Sequence, residues 1–141
     1  MTQDDRKQRL IDVVHTYIRA IATRDFGVMP YSDDVTLRSP FAREGVRRQL
    51  RGRDEVYREW WKGLVLDSPE REVDFQITDL FFNDALTSVM AEMVITDHLL
   101  SPPVRLWAAE RFTVNEAGDV TDQINHFDVR DAVMPGWQGQ T

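Results

Sequence analysis

The chain has 141 residues, a formal net charge of −7 and 42% hydrophobic residues, including four Trp and seven Phe. This composition is typical of a folded globule and excludes a disordered chain, and the length predicts one domain spanning residues 1–141. The negative charge disfavours binding to nucleic acid or to anionic lipid, because both are themselves negatively charged. The sequence contains no cysteine, no apolar run of about 20 residues and no signal-peptide pattern, so we expect a cytoplasmic protein without disulfides or membrane spans.

An amphipathic helix is predicted over residues 2–25. Thr2 and Asp5 resemble a capping box at its start. Apolar residues then recur at spacings of three and four, which is the helical period: Leu10, Val14, Tyr17, Ile18 and Ile21. Tyr17 lies on this buried stripe, so its hydroxyl needs a hydrogen-bond partner inside the protein.

The middle of the chain is predicted to contain a strand at residues 35–38, a second helix at residues 54–66 and strands at residues 73–82 and 86–99. Between the first strand and the second helix lies an arginine cluster of six residues, Arg38, Arg43, Arg47, Arg48, Arg51 and Arg53. Two interpretations of the cluster stay open. It is either a solvated loop or a surface that binds a carboxylate or phosphate group.

A β-hairpin is predicted over residues 104–130, with its reversal at residues 115–119, where Asn and Gly supply the positive φ of a tight turn. One face of its first arm carries a single carboxylate, Glu110, among four apolar residues, Leu106, Ala108, Phe112 and Val114. In the second arm, a bulge near Thr121 and Asp122 accounts for the alternation of Val120, Gln123, Asn125 and Phe127.

The order of helix, strand, helix and four strands predicts an α+β domain with its helices on one face of an antiparallel sheet. A sheet curved around its helices leaves an apolar cavity between the two layers, where ligand pockets form. The alternation that buries Met93 and Ile95 also points Asp97 into this cavity. The same alternation places His98 outside, and His126 is expected outside as well.

With this order of elements, the chain resembles the nuclear transport factor 2-like superfamily of cone-shaped α+β domains. That group includes ketosteroid isomerase, limonene-epoxide hydrolase, scytalone dehydratase and the SnoaL-like polyketide cyclases. The resemblance covers most of the chain and rests on four passages, VVHTYIRAIATRDFG, PYSDDVTLRSP, GRDEVYREWW and ERFTVNEAGDVTDQINHFDVR. It implies a curved antiparallel sheet packed against N-terminal helices around an apolar cavity, and a homodimer.

The resemblance also suggests roles for particular residues. Against ketosteroid isomerase, Tyr17 matches the oxyanion-hole tyrosine and Glu110 the aspartic acid that an apolar site keeps protonated. Ser39 stands at the position of the general-base aspartate, which puts steroid isomerase activity in doubt. Against limonene-epoxide hydrolase, all three triad positions are replaced, by Met93, Ile95 and Asn125. Asn125 instead resembles the pocket asparagine of scytalone dehydratase.

The candidate catalytic residues are Glu110, Tyr17 and Asp97. A buried, neutral Glu110 can donate a hydrogen bond to a carbonyl oxygen or protonate a leaving hydroxyl, with Tyr17 as second donor to the same oxygen. Asp97 is the candidate base. The alternatives are an arginine salt bridge for Glu110, a core hydrogen bond for Tyr17 and a solvated carboxylate for Asp97. The expected substrate-binding residues are Asn125, Gln123, Trp60, Phe112, Phe127, Met93 and Ser39.

We therefore expect a cofactor-independent acid-base enzyme of the isomerase, dehydratase (lyase) or polyketide cyclase type, acting on a small apolar carbonyl- or hydroxyl-bearing molecule. No metal site is expected, because the three histidines lack zinc-ligand spacing. A second hypothesis is a non-catalytic ligand-binding or protein-interaction module, since one fold hosts both. A third is capture of an acidic protein partner by the arginine cluster.

The opposite face of the sheet predicts a homodimer. It carries an apolar strip, which on a monomer would lie exposed to water: Met90, Val94, Trp107 and Ala109. Trp137, which follows Pro135 and Gly136, is expected to close over a pocket or a partner.

Overall fold

The computed structural model describes residues 1–68, 72–98 and 101–128. Helix α1 spans Gln3–Thr23. The Thr2 hydroxyl accepts a hydrogen bond from the Asp5 N–H, and the Asp5 carboxylate accepts one from the Thr2 N–H, both at 3.1 Å, so the predicted capping box is confirmed. Arg24, in the left-handed conformation with φ 57°, ends the helix. Leu10, Val14 and Tyr17 are buried, as the helical period predicted.

The second helix begins as α2, Arg53–Val56, and continues as a π-helix over Tyr57–Leu66. A regular α-helix over residues 54–66 was the expectation. Trp60 and Trp61 are neighbours in the chain, yet both are buried, with ring centroids 6.0 Å apart. The wider π turn gives two adjacent indole rings room on the packed side of the helix.

Six strands form one curved, unclosed sheet. They are β1 Tyr31–Arg38, β2 Leu50–Arg51, β3 Val73–Phe82, β4 Ser88–Asp97, β5 Val104–Val114 and β6 Val120–Phe127. The spatial order is β2-β1-β6-β5-β4-β3. The α+β architecture is confirmed, but the sheet is mixed rather than wholly antiparallel, because β1 runs parallel to β6. The first strand also begins four residues earlier than expected, since Tyr31 pairs with Val120.

The hairpin of β5 and β6 positions the polar residues of the inner face. Thr113 pairs with Asp122, and Val114 pairs with Val120, so Thr121 is an extra residue and the predicted bulge is confirmed. Beyond the bulge, Gln123 and Asn125 lie on the buried face. Residues 129 and 130 of the predicted hairpin lie outside the described residues, as does the stretch containing Pro135, Gly136 and Trp137.

The two faces of the sheet differ in their exposure. Helix α1 and the π-helix lie against the inner face and enclose the core. On the outer face Trp107 is 62% exposed and Phe81 51% exposed. No helix in the described part of the chain is long and apolar enough to cross a membrane.

Candidate functional site

Glu110 is the one fully buried carboxylate of the described core. It lies on the inner face of β5, directly opposite Asn125 of β6. Its Oε1 accepts a hydrogen bond of 2.9 Å from the Tyr17 hydroxyl, while its Oε2 has no partner among the described residues. Burial raises the pKa of Glu110 to about 8, and the Tyr17 hydrogen bond opposes part of that rise. Glu110 is therefore mainly a neutral carboxylic acid at pH 7.

Tyr17 contacts Glu110 rather than an open space beyond it. Its ring packs edge-on against Phe112 with centroids 5.1 Å apart, which fixes the direction of the hydroxyl. Burial, and then the charge of Glu110, raise the pKa of Tyr17 well above its ordinary value. Tyr17 and Glu110 are thus hydrogen-bonded to one another in this structure. They do not both point at one place where a ligand oxygen could lie. The alternative salt bridge is not seen either, since no described arginine pairs with Glu110.

A chain of buried hydrogen bonds lies beside this pair. The Tyr31 hydroxyl donates to Gln123 Oε1 at 2.5 Å, and Gln123 Nε2 donates to Asn125 Oδ1 at 2.8 Å. All three residues are buried, and Asn125 Nδ2 has no partner within the described residues. Sequence reasoning missed Tyr31. The available signal was a tyrosine in the passage PYSDDVTLRSP, whose hydroxyl needs a partner if the strand extends back to it.

An apolar cavity of about 110 Å³ lies between the sheet and the helices. Tyr17, Asp97 and Phe127, three of the predicted site residues, line it. Arg24 also lines it, and its guanidinium donates to the carbonyl oxygens of Leu66 and Ser68 at 2.9 and 3.2 Å. The remaining wall is apolar: Ile21, Phe41, Leu64, Val65, Val73, Phe75, Ile95 and Leu106.

The other predicted site residues do not line this cavity. Trp60, Phe112, Met93 and Ser39 are at most 1% exposed and belong to the packed interior. The Ser39 hydroxyl accepts a hydrogen bond from the Phe41 N–H at 3.3 Å. The polar cluster, which we define as Glu110, Gln123 and Asn125, is likewise fully buried. It lies deeper than Tyr17, which lines the cavity and bonds Glu110.

The histidines lie outside the site, as predicted. His98 and His126 are exposed, and His98 Nε2 lies 2.8 Å from Asp74 Oδ2. With Glu72, these groups place three metal-ligand atoms within 4.8 Å of one another at the exposed end of β3 and β4. The spacing of the histidines along the sequence does not reveal this grouping, because Glu72 and Asp74 lie far from His98 in the chain and come close to it only in the folded protein.

Most of the arginine cluster is engaged within the protein. Arg38 donates to the Val46 and Arg47 carbonyls, and Arg53 donates to the carbonyls of Met29 and Tyr31. Ion pairs engage two more arginines, with the partners Glu59 for Arg43 and both Glu44 and Glu55 for Arg48. Four of the six arginines therefore have structural partners, which favours the solvated-loop interpretation.

Comparison with known proteins supports the fold. No family model and no curated protein matches the chain. A Δ5-3-ketosteroid isomerase from Mycobacterium sp. matches with a TM-score of 0.64 at 13% identity, over 86% of this chain and 94% of that chain. An LEH-like epoxide hydrolase from M. tuberculosis matches with a TM-score of 0.63 at 19% identity, over 88% and 86%.

A third match is RV0760c from M. tuberculosis, solved in complex with estradiol-17beta-hemisuccinate. Its TM-score is 0.62 at 14% identity, over 86% of this chain and 95% of that chain. Identities this low establish the fold alone. The chain therefore shares the α+β fold of these proteins, an N-terminal helix on a curved, unclosed mixed sheet, as the resemblance led us to expect.

Proposed function

We propose that the protein is a cofactor-independent acid-base enzyme of the isomerase, dehydratase or cyclase type, acting on a small apolar molecule that carries a carbonyl or hydroxyl group. The observation that carries the proposal is Glu110, which is fully buried, has a pKa raised to about 8 and keeps one oxygen without a partner among the described residues. A buried carboxyl that stays protonated at neutral pH is costly as a purely structural group and useful as an acid.

Glu110 acts as the acid in this proposal. Tyr17 occupies Oε1 as a donor, so the acidic proton lies on Oε2, the atom that has no partner in the described part of the chain. From there it donates to a carbonyl oxygen or protonates a leaving hydroxyl. The Tyr17 bond also stabilises the carboxylate that remains after the proton has left, because hydrogen bonds favour the charged form.

Asp97 acts as the base. It lines the cavity together with Tyr17, so a bound molecule lies between the base and the acid end of the site. When the substrate is an enone, Asp97 removes a proton from a carbon that is bonded to the conjugated C=C–C=O group. The electron pair of the broken C–H bond moves onto the carbonyl oxygen, where Glu110 stabilises the negative charge.

The size and the apolar walls of the cavity limit the substrate. A volume of about 110 Å³ fits a molecule of about one ring, and the walls are almost wholly apolar. Glu110 has no exposed surface and does not line the cavity, so a bound molecule reaches its Oε2 only when neighbouring side chains move. The enzyme proposal therefore requires a side-chain movement on substrate binding.

The second candidate function is a ligand-binding module without catalysis. The burial of Glu110 favours it, because a molecule held in the apolar cavity makes no contact with the acid unless the side chains between them move. Ser39 supports it too, since it is buried and bonded to the backbone where the resemblance would place a base.

Isotope exchange separates the two functions. Cyclohexenone is incubated with the protein in deuterium oxide, and loss of its C–H signals is followed by proton NMR. For the proposed enzyme, we expect the exchange rate to be higher with the protein than in buffer. Glu110→Gln and Asp97→Asn should each lower the rate of the wild type at least tenfold. Glu92→Gln, which removes an exposed carboxylate from β4, is the matched control and keeps the wild-type rate. Binding of cyclohexenone without accelerated exchange would establish the binding module instead.

A further inference from the structure

The buried chain from Tyr31 to Asn125 has a direction. An amide side chain can present either its oxygen or its NH₂ group to a neighbour, so a chain of two amides has two orientations. In this structure Tyr31 donates to Gln123 Oε1, and Gln123 Nε2 donates to Asn125 Oδ1. Within residues 1–68, 72–98 and 101–128, the Nδ2 hydrogens of Asn125 are left without an acceptor.

Tyr31 selects this orientation. Burial raises the pKa of its hydroxyl well above the ordinary value, and the charge of Glu110 raises it further, so the group keeps its proton. Gln123 Oε1 is the one acceptor that this hydroxyl has in the described part of the chain. Reversing both amides would leave the Tyr31 hydrogen unpaired in the core, at the cost of an unsatisfied buried donor.

The unpaired end of the chain faces the acid. Asn125 and Glu110 are directly opposite one another on β6 and β5, and both are fully buried. At this pair of positions, Asn125 Nδ2 and Glu110 Oε2 are the polar atoms that have no hydrogen-bond partner among the residues the structure describes. With the proton of the neutral acid on Oε2, both atoms are hydrogen-bond donors, so they do not satisfy one another.

We propose that Asn125 Nδ2 and Glu110 Oε2 together bind one acceptor oxygen of the ligand, an inference that rests on the proposed function of Glu110 as an acid. We further propose that Tyr31 is a positioning residue that holds the Asn125 amide as a donor through Gln123. The second donor to the ligand oxygen is then Asn125 and not Tyr17, whose hydroxyl is spent on Glu110.

This pair of donors specifies the class of ligand. An oxygen that only accepts hydrogen bonds, such as that of a ketone or an enone, satisfies both atoms, and an enolate oxygen does so more strongly. An ammonium or amide N–H in the same place would leave all donors unpaired. The ligand is therefore an apolar ring-sized ketone or enone, and its amine analogue is rejected.

The direction of the chain can be measured in the ligand-free protein by NMR. Scalar coupling across a hydrogen bond connects the donor nitrogen with the carbon that bears the acceptor oxygen. The proposal expects coupling from Gln123 Nε2 to Asn125 Cγ. Coupling from Asn125 Nδ2 to Gln123 Cδ would show the reversed chain and overturn the proposal, whether or not the protein is an enzyme.

The role of Tyr31 is tested with Tyr31→Phe, which removes one oxygen and leaves the ring. The matched control is Tyr57→Phe, because the Tyr57 hydroxyl makes no hydrogen bond to any described residue. The probes are cyclohexenone labelled with carbon-13 at its carbonyl and cyclohexene, which has the same ring without the oxygen.

In the wild type, two donors are expected to move the carbonyl resonance of bound cyclohexenone downfield. Tyr31→Phe is expected to reduce that shift and to weaken cyclohexenone binding about 3- to 10-fold, the effect of one hydrogen bond, with cyclohexene affinity unchanged. Tyr57→Phe should leave both unchanged. An unaltered carbonyl shift in Tyr31→Phe, or equal losses for the two probes, would refute the positioning role. Failure of the isotope-exchange test with the coupling direction intact would instead refute only the catalytic proposal.

Discussion

The behaviour of one carboxyl group governs what this site can do. Glu110 has no exposed surface, and the Tyr17 hydroxyl is its one hydrogen-bond partner among the described residues. The loss of hydration on burial outweighs that single bond, so the pKa rises to about 8 instead of falling. A buried carboxylate with several donors, or with an arginine, would have shown the opposite shift. The geometry therefore favours a proton donor over an anion.

A raised carboxyl pKa makes stability depend on pH. Between the ordinary pKa of 4.5 and the folded value of about 8, the folded protein holds a proton that the unfolded chain has released. The contribution of Glu110 to stability is therefore complete below pH 4.5 and is lost as pH rises toward 8. The slope reaches about 1.4 kcal/mol per pH unit.

We predict that Glu110→Gln removes this slope. The free energy of unfolding, measured with urea from pH 5 to 8, should fall with pH more steeply in the wild type than in the variant. Gln keeps an oxygen that can accept the Tyr17 hydrogen bond, so the comparison isolates the charge. Parallel pH profiles for the two proteins would mean that Glu110 titrates normally.

At the scale of elements, the register of β6 decides whether the polar cluster exists. Thr121 is the extra residue of the bulge, and Gln123 and Asn125 face inward because the bulge accommodates this residue outside the regular alternation. If the strand kept Thr121 but paired regularly, without the bulge, Gln123 and Asn125 would turn to the outer face. Asp122 and Ile124 would then turn to the core.

Val114 pairs with Val120 and Thr113 with Asp122, so removing the extra residue leaves Val120, Asp122 and Gln123 in regular alternation. Deletion of Thr121 is therefore expected to keep the polar cluster on the inner face, with cyclohexenone binding and the midpoint of urea unfolding close to those of Thr121→Ala. Thr121→Ala is the matched control: it keeps the residue count and loses only the hydroxyl, which donates to the Thr113 carbonyl at 3.3 Å. Calorimetric binding and urea unfolding measure both quantities. A deletion variant that loses cyclohexenone binding while Thr121→Ala keeps it would contradict the assignment of Thr121 as the extra residue.

Local patterns in the sequence were sufficient for the hairpin, its bulge, the capping box and the inward position of Glu110. Each of these depends on residues close together in the chain or on strict alternation. The bond between Tyr17 and Glu110 spans 93 residues, and only the family resemblance brought the two together. The bond between Tyr31 and Gln123 spans 92 residues and depends on the parallel pairing of β1 with β6, which no local pattern encodes.

The π-helix was not predictable for a different reason. Both the α and the π form bury Trp60, and the period of the apolar residues does not separate the two over ten residues. The choice depends on how Trp61 fits the core of the folded molecule. There it packs edge-on against Phe26 at 5.4 Å, an interaction between distant parts of the chain.

In the molecule as a whole, the outer face of the sheet is notable because it exposes the apolar strip to water. Trp107 is 62% exposed at the centre of the apolar strip, where it pairs with Val94 on the neighbouring strand. We propose that this face forms a homodimer, which would bury the strip. The cavity opens on the other side of the sheet and stays available to ligand.

Trp107→Glu is predicted to convert the dimer into monomers in sedimentation velocity, because it places a charge at the centre of the interface. Gln3→Glu, which adds the same charge at the exposed start of α1, should leave the dimer intact. A wild type that sediments as a monomer at all concentrations, or a Trp107→Glu variant that remains dimeric, would contradict the proposed interface.

Whether Glu110 is a neutral acid at physiological pH is decided by the pKa of its side chain. Carbon-13 NMR of the carboxyl carbons, titrated from pH 3 to 10 with Glu110→Gln to assign the resonance, gives that value. We predict a pKa of about 8. A pKa near the ordinary 4.5 would show an ionised carboxylate at pH 7 and would contradict the acid mechanism.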